Sequence, residues 1–279
     1  MFSLKIRKPL IIFLAGFAVL VLSAWTEIPD DKFHIYFLDV TQGDSILIKT
    51  PQNHQILVDG GPKDYVLAEL SKVMPFFDKS IDFVILTHPD SDHMDGILKV
   101  LERYEVKNIL LTGFYLEDEN NNKMLSLILE KDVNLFIAES KEDFIFGDVL
   151  VDVIYPLSQI IGNDDKDKND TSIAVKVIYK NKKILLTGDL SADAESKLIS
   201  AYPNSEYLKS DILKAGHHGS KTSSSLNFLE IVRPETAVIQ VGRKNFYGHP
   251  HKEVLDNFSA AGVKKIYRTD LDGMVEFVF

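Results

Sequence analysis

The ten residues Thr87-His88-Pro89-Asp90-Ser91-Asp92-His93-Met94-Asp95-Gly96 hold two imidazoles and three carboxylates. The apolar run Phe83-Val84-Ile85-Leu86 leads into them and reads as a short buried strand. Behind them Ile97, Leu98, Val100 and Leu101 recur at helical spacing. The cluster therefore falls on a strand-to-helix turn, where several side chains converge on one point. An acidic helix start accounts for one Asp, as a cap or dipole partner, but not for two histidines as well. An EF-hand calcium loop needs an oxygen ligand at its fifth position and Gly at its sixth, where Met94 and Asp95 stand. Imidazole nitrogens mixed with carboxylate oxygens suit Zn²⁺, and Mn²⁺ or Fe²⁺ less selectively.

Working outward, Phe33–Val40, Ser45–Lys49 and Gln55–Asp59 read as antiparallel strands split by Gly43-Asp44 and Pro51-Gln52-Asn53. Val66–Met74 is amphipathic at helical spacing, and Met94–Arg103 is the helix after the cluster. Strand and helix signals then alternate: Val106–Leu111, helix Asn122–Lys131, Leu135–Ala138, and a hairpin over Phe144–Tyr155 turning at Gly147-Asp148. Gly162–Asp170 is the most polar stretch and reads mainly as a solvated loop. Strands Ser172–Tyr179 and Lys183–Thr187 follow, then helix Ser191–Ser200, strand Asp211–Ala215 and helix Ser223–Val232. Strand Thr236–Val241, helix Glu253–Ala261 and strands Ile266–Arg268 and Met274–Phe279 complete the chain. Both halves mix strands with helices, which predicts an α/β (α+β) fold of two sheets with helices outside, a four-layer αβ/βα sandwich. No boundary divides residues 33–279, which form one expected domain.

The chain has 279 residues, 45% apolar and 26% charged, as in a folded globular protein. It has no cysteine, which removes thiolate ligands, a Cys nucleophile and disulfides together. A net charge of -10 excludes a global basic field that would recruit nucleic acid, so any such binding must use local cations or metals. Lys5, Arg7 and Lys8 precede an uncharged run over residues 10–25. As a helix it would span about 24 Å, slightly short of a bilayer core. Residues 1–25 are therefore expected to form a membrane anchor or uncleaved signal, residues 26–32 a linker, and the basic flank to leave residues 33–279 outside the cytoplasm. A secreted, cleaved form is the alternative, although Val21-x-Ser23 is only a tolerable cleavage site.

His88-x-Asp90-x-Asp92-His93 followed by Asp95-Gly96 resembles the signature of the metallo-β-lactamase-fold hydrolase superfamily. Asp rather than His at the second position resembles the hydrolase domains of the ComEC-type competence family. The resemblance continues, in the family's order, through Asp39-Val40-Thr41-Gln42-Gly43-Asp44-Ser45, Val58-Asp59-Gly60-Gly61, Leu186-Thr187-Gly188-Asp189, His217-His218-Gly219-Ser220 and Tyr247-Gly248-His249-Pro250. It implies the four-layer fold, with the site at the rim between the sheets and Asp39, Asp44, Asp59 and Gly60 shaping it. It also implies two divalent ions, Zn²⁺ or Mn²⁺. His88, Asp90 and Asp189 would hold one ion, and Asp92, His93 and Asp189 the other, with Asp92 also counted as catalytic. His218 would complete the ligand set of the second ion, with His217 contacting substrate. His249 would either ligate metal or donate a proton to the leaving group.

Ser220, Thr222 and Ser223 precede an expected helix, where they would cap it, contact a phosphate, or both. Relatives supply a further His between the first cluster and the bridging Asp, yet none lies between His93 and His217 here. Asn169-Asp170-Thr171-Ser172 falls at that place, with Asn169 as a weaker oxygen ligand or substrate contact. Two close cations activate water near neutral pH and neutralise a phosphoryl or carbonyl oxygen. The reading that follows is a dinuclear hydrolase of phosphodiesters, with DNA as its partner. Hydrolysis of another ester, such as a phosphocholine ester or lactone, and a silent membrane-tethered binding module are the alternatives. No protein partner is legible.

Overall fold

In this computed structural model the described residues are 8–17, 30–162 and 167–279. Residues 8–17 form a helix, α1, with Leu10, Ile11, Ile12, Phe13 and Phe17 exposed. The rest of the expected anchor, most of the linker, and residues 163–166 of the polar loop lie outside the described residues. Among the described residues no helix is long and apolar enough to cross a membrane, and residues 18–25 of the expected membrane segment lie outside the described residues.

Strands β1 (His34–Phe37), β2 (Ile46–Lys49) and β3 (Gln55–Val58) form the antiparallel meander expected from their alternating runs. After helix α2 (Tyr65–Val73) the chain enters β4 (Ser80–Leu86), parallel to β3. Helix α3 (Ser91–Arg103), β5 (Glu105–Leu111), α4 (Glu119–Glu130) and β6 (Asn134–Ile137) continue the parallel side. The hairpin β7 (Asp143–Phe146) and β8 (Val149–Tyr155) opens the second half, turning at Gly147-Asp148 as expected. It is followed by β9 (Ala174–Tyr179), β10 (Lys182–Leu186), α5 (Ala192–Ala201), the single turn α6 (Ser205–Leu208) and β11 (Ile212–Lys214). Helix α7 (Leu226–Val232), β12 (Thr236–Ile239), α8 (Lys252–Ala260), β13 (Lys265–Arg268), the turn α9 (Thr269–Asp272) and β14 (Val275–Val278) end the chain.

The strands make two seven-stranded sheets, ordered β14-β1-β2-β3-β4-β5-β6 and β13-β12-β11-β10-β9-β8-β7. The last strand thus returns to pair with the first, and Phe33 and Phe279 bond backbone to backbone. One apolar core, with Phe37, Ile48, Phe83, Ile85, Val151, Val175 and Ile184, lies between the sheets. A second core packs α2, α3 and α4 on the outer face of the first sheet through Leu70, Ile97, Leu101 and Met124. A third packs α5, α7 and α8 on the other through Leu198, Phe228 and Phe258. These are the four expected layers.

Helix α3 begins three residues before the apolar periodicity announces it, so Asp92 and His93 sit in its first turn rather than on a loop. That turn is clamped to the loop after β3. A Cβ on Gly60 would lie 2.4 Å from Ile97 N, and one on Gly96 would lie 1.9 Å from Gly60 O. Only two glycines allow this approach, and through it Gly60 N reaches His93 O at 2.8 Å.

Candidate metal centre

The site lies where β4, β10 and β11 end. His88 follows β4, Asp92 and His93 open α3, Asp189 follows β10, and His217 and His218 follow β11. His217 and His218 both take left-handed backbone conformations, with φ of 46° and 53°. Two consecutive non-glycine residues there cost strain, which the surrounding structure must hold. The strained turn points both imidazoles at Asp189.

Each of three buried histidines is oriented by its Nδ1. His88 Nδ1 lies 3.0 Å from Thr87 Oγ1, which donates in turn to Asp59 Oδ2 at 2.8 Å. His93 Nδ1 lies 2.8 Å from Asp59 Oδ2. His218 Nδ1 lies 3.0 Å from the Gln240 carbonyl oxygen. The Nε2 atoms of all three are buried without a hydrogen-bond partner. Buried polar atoms are rarely left so, and second partners that fix Nδ1 are how metal-ligating imidazoles are held. His93 Nε2 and His218 Nε2 stand 3.4 and 3.3 Å from Asp189 Oδ2, and His218 Nε2 stands 3.3 Å from Asp92 Oδ2. His88, His93 and Asp189 therefore converge as one trio able to hold a cation, and Asp92, His93 and His218 as another. The donor set fits divalent ions of the Zn²⁺ or Mn²⁺ kind.

Electrostatics agree with this fit. Burial, with His93 alongside, pushes His88 down to about 3, which keeps it neutral and ready to ligate. Burial also opposes charge on His93 and His218, but Asp189 with Asp59 or Asp44 outweighs it and holds both well above the ordinary imidazole value. The same carboxylates, with the imidazoles deprotonated, would hold a divalent ion in place of those protons. Asp189 is buried, which opposes its charge, yet His218, His93 and Lys214 hold it well below the carboxylate range. Asp92 is lowered in the same way against its burial by His218 and His93.

Other expected residues fall as follows. Asp90 is absent from both trios: its Oδ2 is 3.8 Å from His88 Nε2 while its Oδ1 takes the ammonium of Lys168 at 2.9 Å. His217 sits at the mouth, partly exposed, with Nε2 3.8 Å from Asp189 Oδ2 and Nδ1 3.2 Å from Thr222 Oγ1. Asn169 lines the small cavity of about 180 Å³ over the site, with Asp90, Asp92, His217, Tyr247 and His249. His249 stacks on Tyr247 and keeps a buried, unpartnered Nδ1, and burial beside His218 and His217 pushes it down to about 4. It is thus neutral at neutral pH and suited to accept a ligand or proton rather than to arrive protonated.

Asp44 and Asp59 are buried beneath the histidines, and Gly60 forms the clamp already described. Asp39 is half-buried and lines a neighbouring groove instead. The expected helix start at Ser223 is corrected: α7 begins at Leu226 and Ser225 is its cap, accepting from Phe228 N at 3.3 Å. Ser220 Oγ lies 3.0 Å from Thr222 Oγ1, so this pair braces His217 rather than capping a helix.

Four residues escape the sequence reading. Lys214, fully buried, pairs with Asp44, lies 3.4 Å from Asp189 Oδ1 and donates to Gly188 O at 2.8 Å. Its signal was a lysine inside the apolar strand Ile212–Lys214. Ser172, at the end of Asn169-Asp170-Thr171-Ser172, accepts from Asp189 N at 3.1 Å and lies 3.4 Å from His88 Nδ1, a role the sequence does not assign to it. Buried Gln240 donates to Leu38 O and Ser45 O, tying β12 to the first sheet under the site. Glu195 accepts from Ser224 N and Ser225 N and so ties α5 to the start of α7.

Comparison with known proteins fits this geometry. A sequence profile of the metallo-beta-lactamase superfamily matches residues 38–243. The chain belongs to this superfamily. Its members are generally metal-dependent hydrolases, and membership implies divalent metal ions at the His/Asp cluster. The chain is 30% identical over 259 residues to ComE operon protein 3 of Bacillus subtilis, covering 86% of this chain and 32% of that protein. It is 30% identical over 279 residues to competence protein ComA of Neisseria gonorrhoeae, covering 99% of this chain and 36% of that one. It thus spans about a third of the length of these relatives. Among solved structures the metallo-beta-lactamase fold protein YhfI from Bacillus subtilis superposes with a TM-score of 0.57 at 14% identity, covering 88% of this chain and all of that one.

Proposed function

We propose that this chain is a phosphodiesterase that uses two divalent ions, Zn²⁺ or Mn²⁺, and that its substrate is DNA. The observation that carries the reading is the three imidazoles, each fixed through Nδ1 and each aiming a free Nε2 at the space around Asp189. His88, His93 and Asp189 would hold one ion, and Asp92 and His218, whose Nε2 stands 3.3 Å from Asp92 Oδ2 and from Asp189 Oδ2, would hold the other. When bound, such ions supply water activation near neutral pH and neutralise charge growing on a phosphoryl oxygen. Thr87, Asp59 and Gln240 keep the imidazoles in register. His217, at the mouth and braced by Thr222, orients the substrate's free oxygen. His249, with its open Nδ1, would take the proton given up by the attacking water and return it to the leaving oxygen.

Phosphodiester is preferred over a lactone because the site is lined by small polar groups and imidazoles rather than by apolar walls. The competence proteins to which the chain is similar support DNA. Residues 10–25 would tether the hydrolase outside the cytoplasm, a reading supported by the basic flank and by the exposed apolar side chains of α1.

The experiment is hydrolysis by the full-length chain with Mn²⁺ or Zn²⁺ of DNA, bis(p-nitrophenyl) phosphate, a phosphocholine ester and a lactone. Cleavage of the two phosphodiesters is expected. Turnover of the lactone alone would overturn the proposal.

A further inference from the structure

A second groove, of about 710 Å³, lies along the loop after β12. Gln42 and Tyr247 line both this groove and the cavity over the metal centre, so the two adjoin. The groove adds Tyr65, Arg243, Lys244 and Phe246, and Asp39 is its only carboxylate. Phe246 is 102% exposed and Tyr247 67% exposed. Phe246 and Tyr247 thus form an adjacent exposed aromatic pair beside the metal centre, rather than a single scattered apolar side chain.

These rings are not on a loose loop. Asn245 Nδ2 donates to Gly242 O at 2.9 Å and His249 O at 2.8 Å, and its Oδ1 accepts from His249 N at 2.9 Å. Gln42 Oε1 accepts from Gly242 N at 3.2 Å. The loop is therefore closed on itself and pinned to the metal side.

Charge sets the direction. Arg243 and Lys244 are exposed, and neither makes an ion pair among the described residues. Lys63 lies beside Tyr65 at the same edge. These cations stand out on a chain of net charge -10. On the other side of Tyr247 the surface carries Asp90, Asp92 and Asp118 against Lys168 alone. A polyanion leaving the metal centre is drawn toward Arg243 and repelled from Asp118.

We infer that this groove holds the nucleotides flanking the scissile bond of a single strand of DNA. Cations tracking a backbone beside exposed aromatic faces are how single strands are held, and only unpaired bases can stack on such rings. Duplex DNA keeps its bases inside and gains nothing from Phe246. The inference rests on the phosphodiesterase reading for the choice of DNA.

The test is fluorescence anisotropy in EDTA with the full-length chain and two labelled strands of equal length, one oligothymidylate and one abasic. Phe246→Ala should weaken oligothymidylate about tenfold and leave the abasic strand unchanged. Arg243→Ala with Lys244→Ala should weaken both strands and lower the slope of log affinity against log salt by about 1.4. Both variants should keep wild-type hydrolysis of bis(p-nitrophenyl) phosphate and wild-type circular dichroism. Wild-type affinity for both strands in both variants would overturn the inference, as would absence of oligothymidylate binding by the wild type. If no phosphodiester is hydrolysed yet the variants lose binding, the groove stands and the phosphodiesterase reading fails.

Discussion

The ammonium of Lys214 lies 3.4 Å from Oδ1 of Asp189, while the imidazoles of His93 and His218 face Oδ2 of the same carboxylate. Asp189 is thus held from behind by one permanent cation and presents its other oxygen to the metal centre. Burial opposes the charge on Lys214, but Asp44 and Asp189 outweigh it and raise the ammonium above its ordinary value. Breaking a buried pair strands its partner charge, at a cost of about 3–5 kcal/mol. Lys214→Met should therefore lower unfolding stability by that amount near neutral pH in urea titrations. Wild-type stability would remove Lys214 from this role.

Asp189→Asn should abolish hydrolysis and release at least half of the bound metal, because its Oδ2 stands 3.4 Å from His93 Nε2 and 3.3 Å from His218 Nε2, between the two trios. Elemental analysis of the purified variant checks this. Full metal content together with full activity would take Asp189 out of the site.

Asp90 is engaged by Lys168, and no further histidine lies between His93 and His217 to serve the ion beside His88. The ion beside His88 should bind more weakly than the ion beside His218, and Mn²⁺ should support activity better than Zn²⁺ there. Stepwise chelation should remove one ion first. Lys168→Ala should free Asp90 and tighten the weaker ion up to about fivefold, since an exposed pair is worth at most about 1 kcal/mol. Loss of both ions together in the wild type would contradict this asymmetry.

Glu195 supplies a pH signature away from the metals. Burial raises it to about 7 against the two backbone donors of Ser224 and Ser225. A carboxyl whose folded value lies above its unfolded value stabilises the fold fully below about pH 4.5, and that stability is lost as pH rises through 7. The loss is roughly 3 kcal/mol at about 1.4 kcal/mol per unit. The stability of the wild type relative to Glu195→Gln, followed by urea unfolding, should fall from pH 4.5 to pH 8, so that the Gln variant gains on the wild type as pH rises. A flat difference would place Glu195 at an ordinary value.

The strands were legible because each is an apolar run fenced by turn residues, as at Phe83–Leu86 and Ile184–Leu186. The histidine and aspartate motifs marked where the site would form. The first turn of α3 was not legible, because Ser91, Asp92 and His93 carry no apolar period. The four-residue turns α6 and α9 are too short to show one. Ser220 and Thr222 look like cap residues in sequence, and only the strained turn at His217 and His218 reveals them as braces. Lys214 and Glu195 were missed for a common reason: their partners, Asp44 and the Ser224 backbone, come from distant elements, and sequence alone reads a lysine in a strand or a glutamate on a helix as solvated. The arrangement of Arg243 and Phe246 beside the metal centre likewise exists only once β12 is docked against the Gln42 loop.

Metal content and DNA cleavage measured on the same samples test the central claim most directly. The full-length chain, stripped and then reloaded with increasing Mn²⁺, is analysed for bound metal while its cleavage of a single-stranded oligonucleotide is followed. Two ions per chain and cleavage that rises with the second ion are expected, as in two-metal hydrolysis of phosphodiesters. A chain that carries its full metal and leaves both the oligonucleotide and bis(p-nitrophenyl) phosphate intact would contradict it.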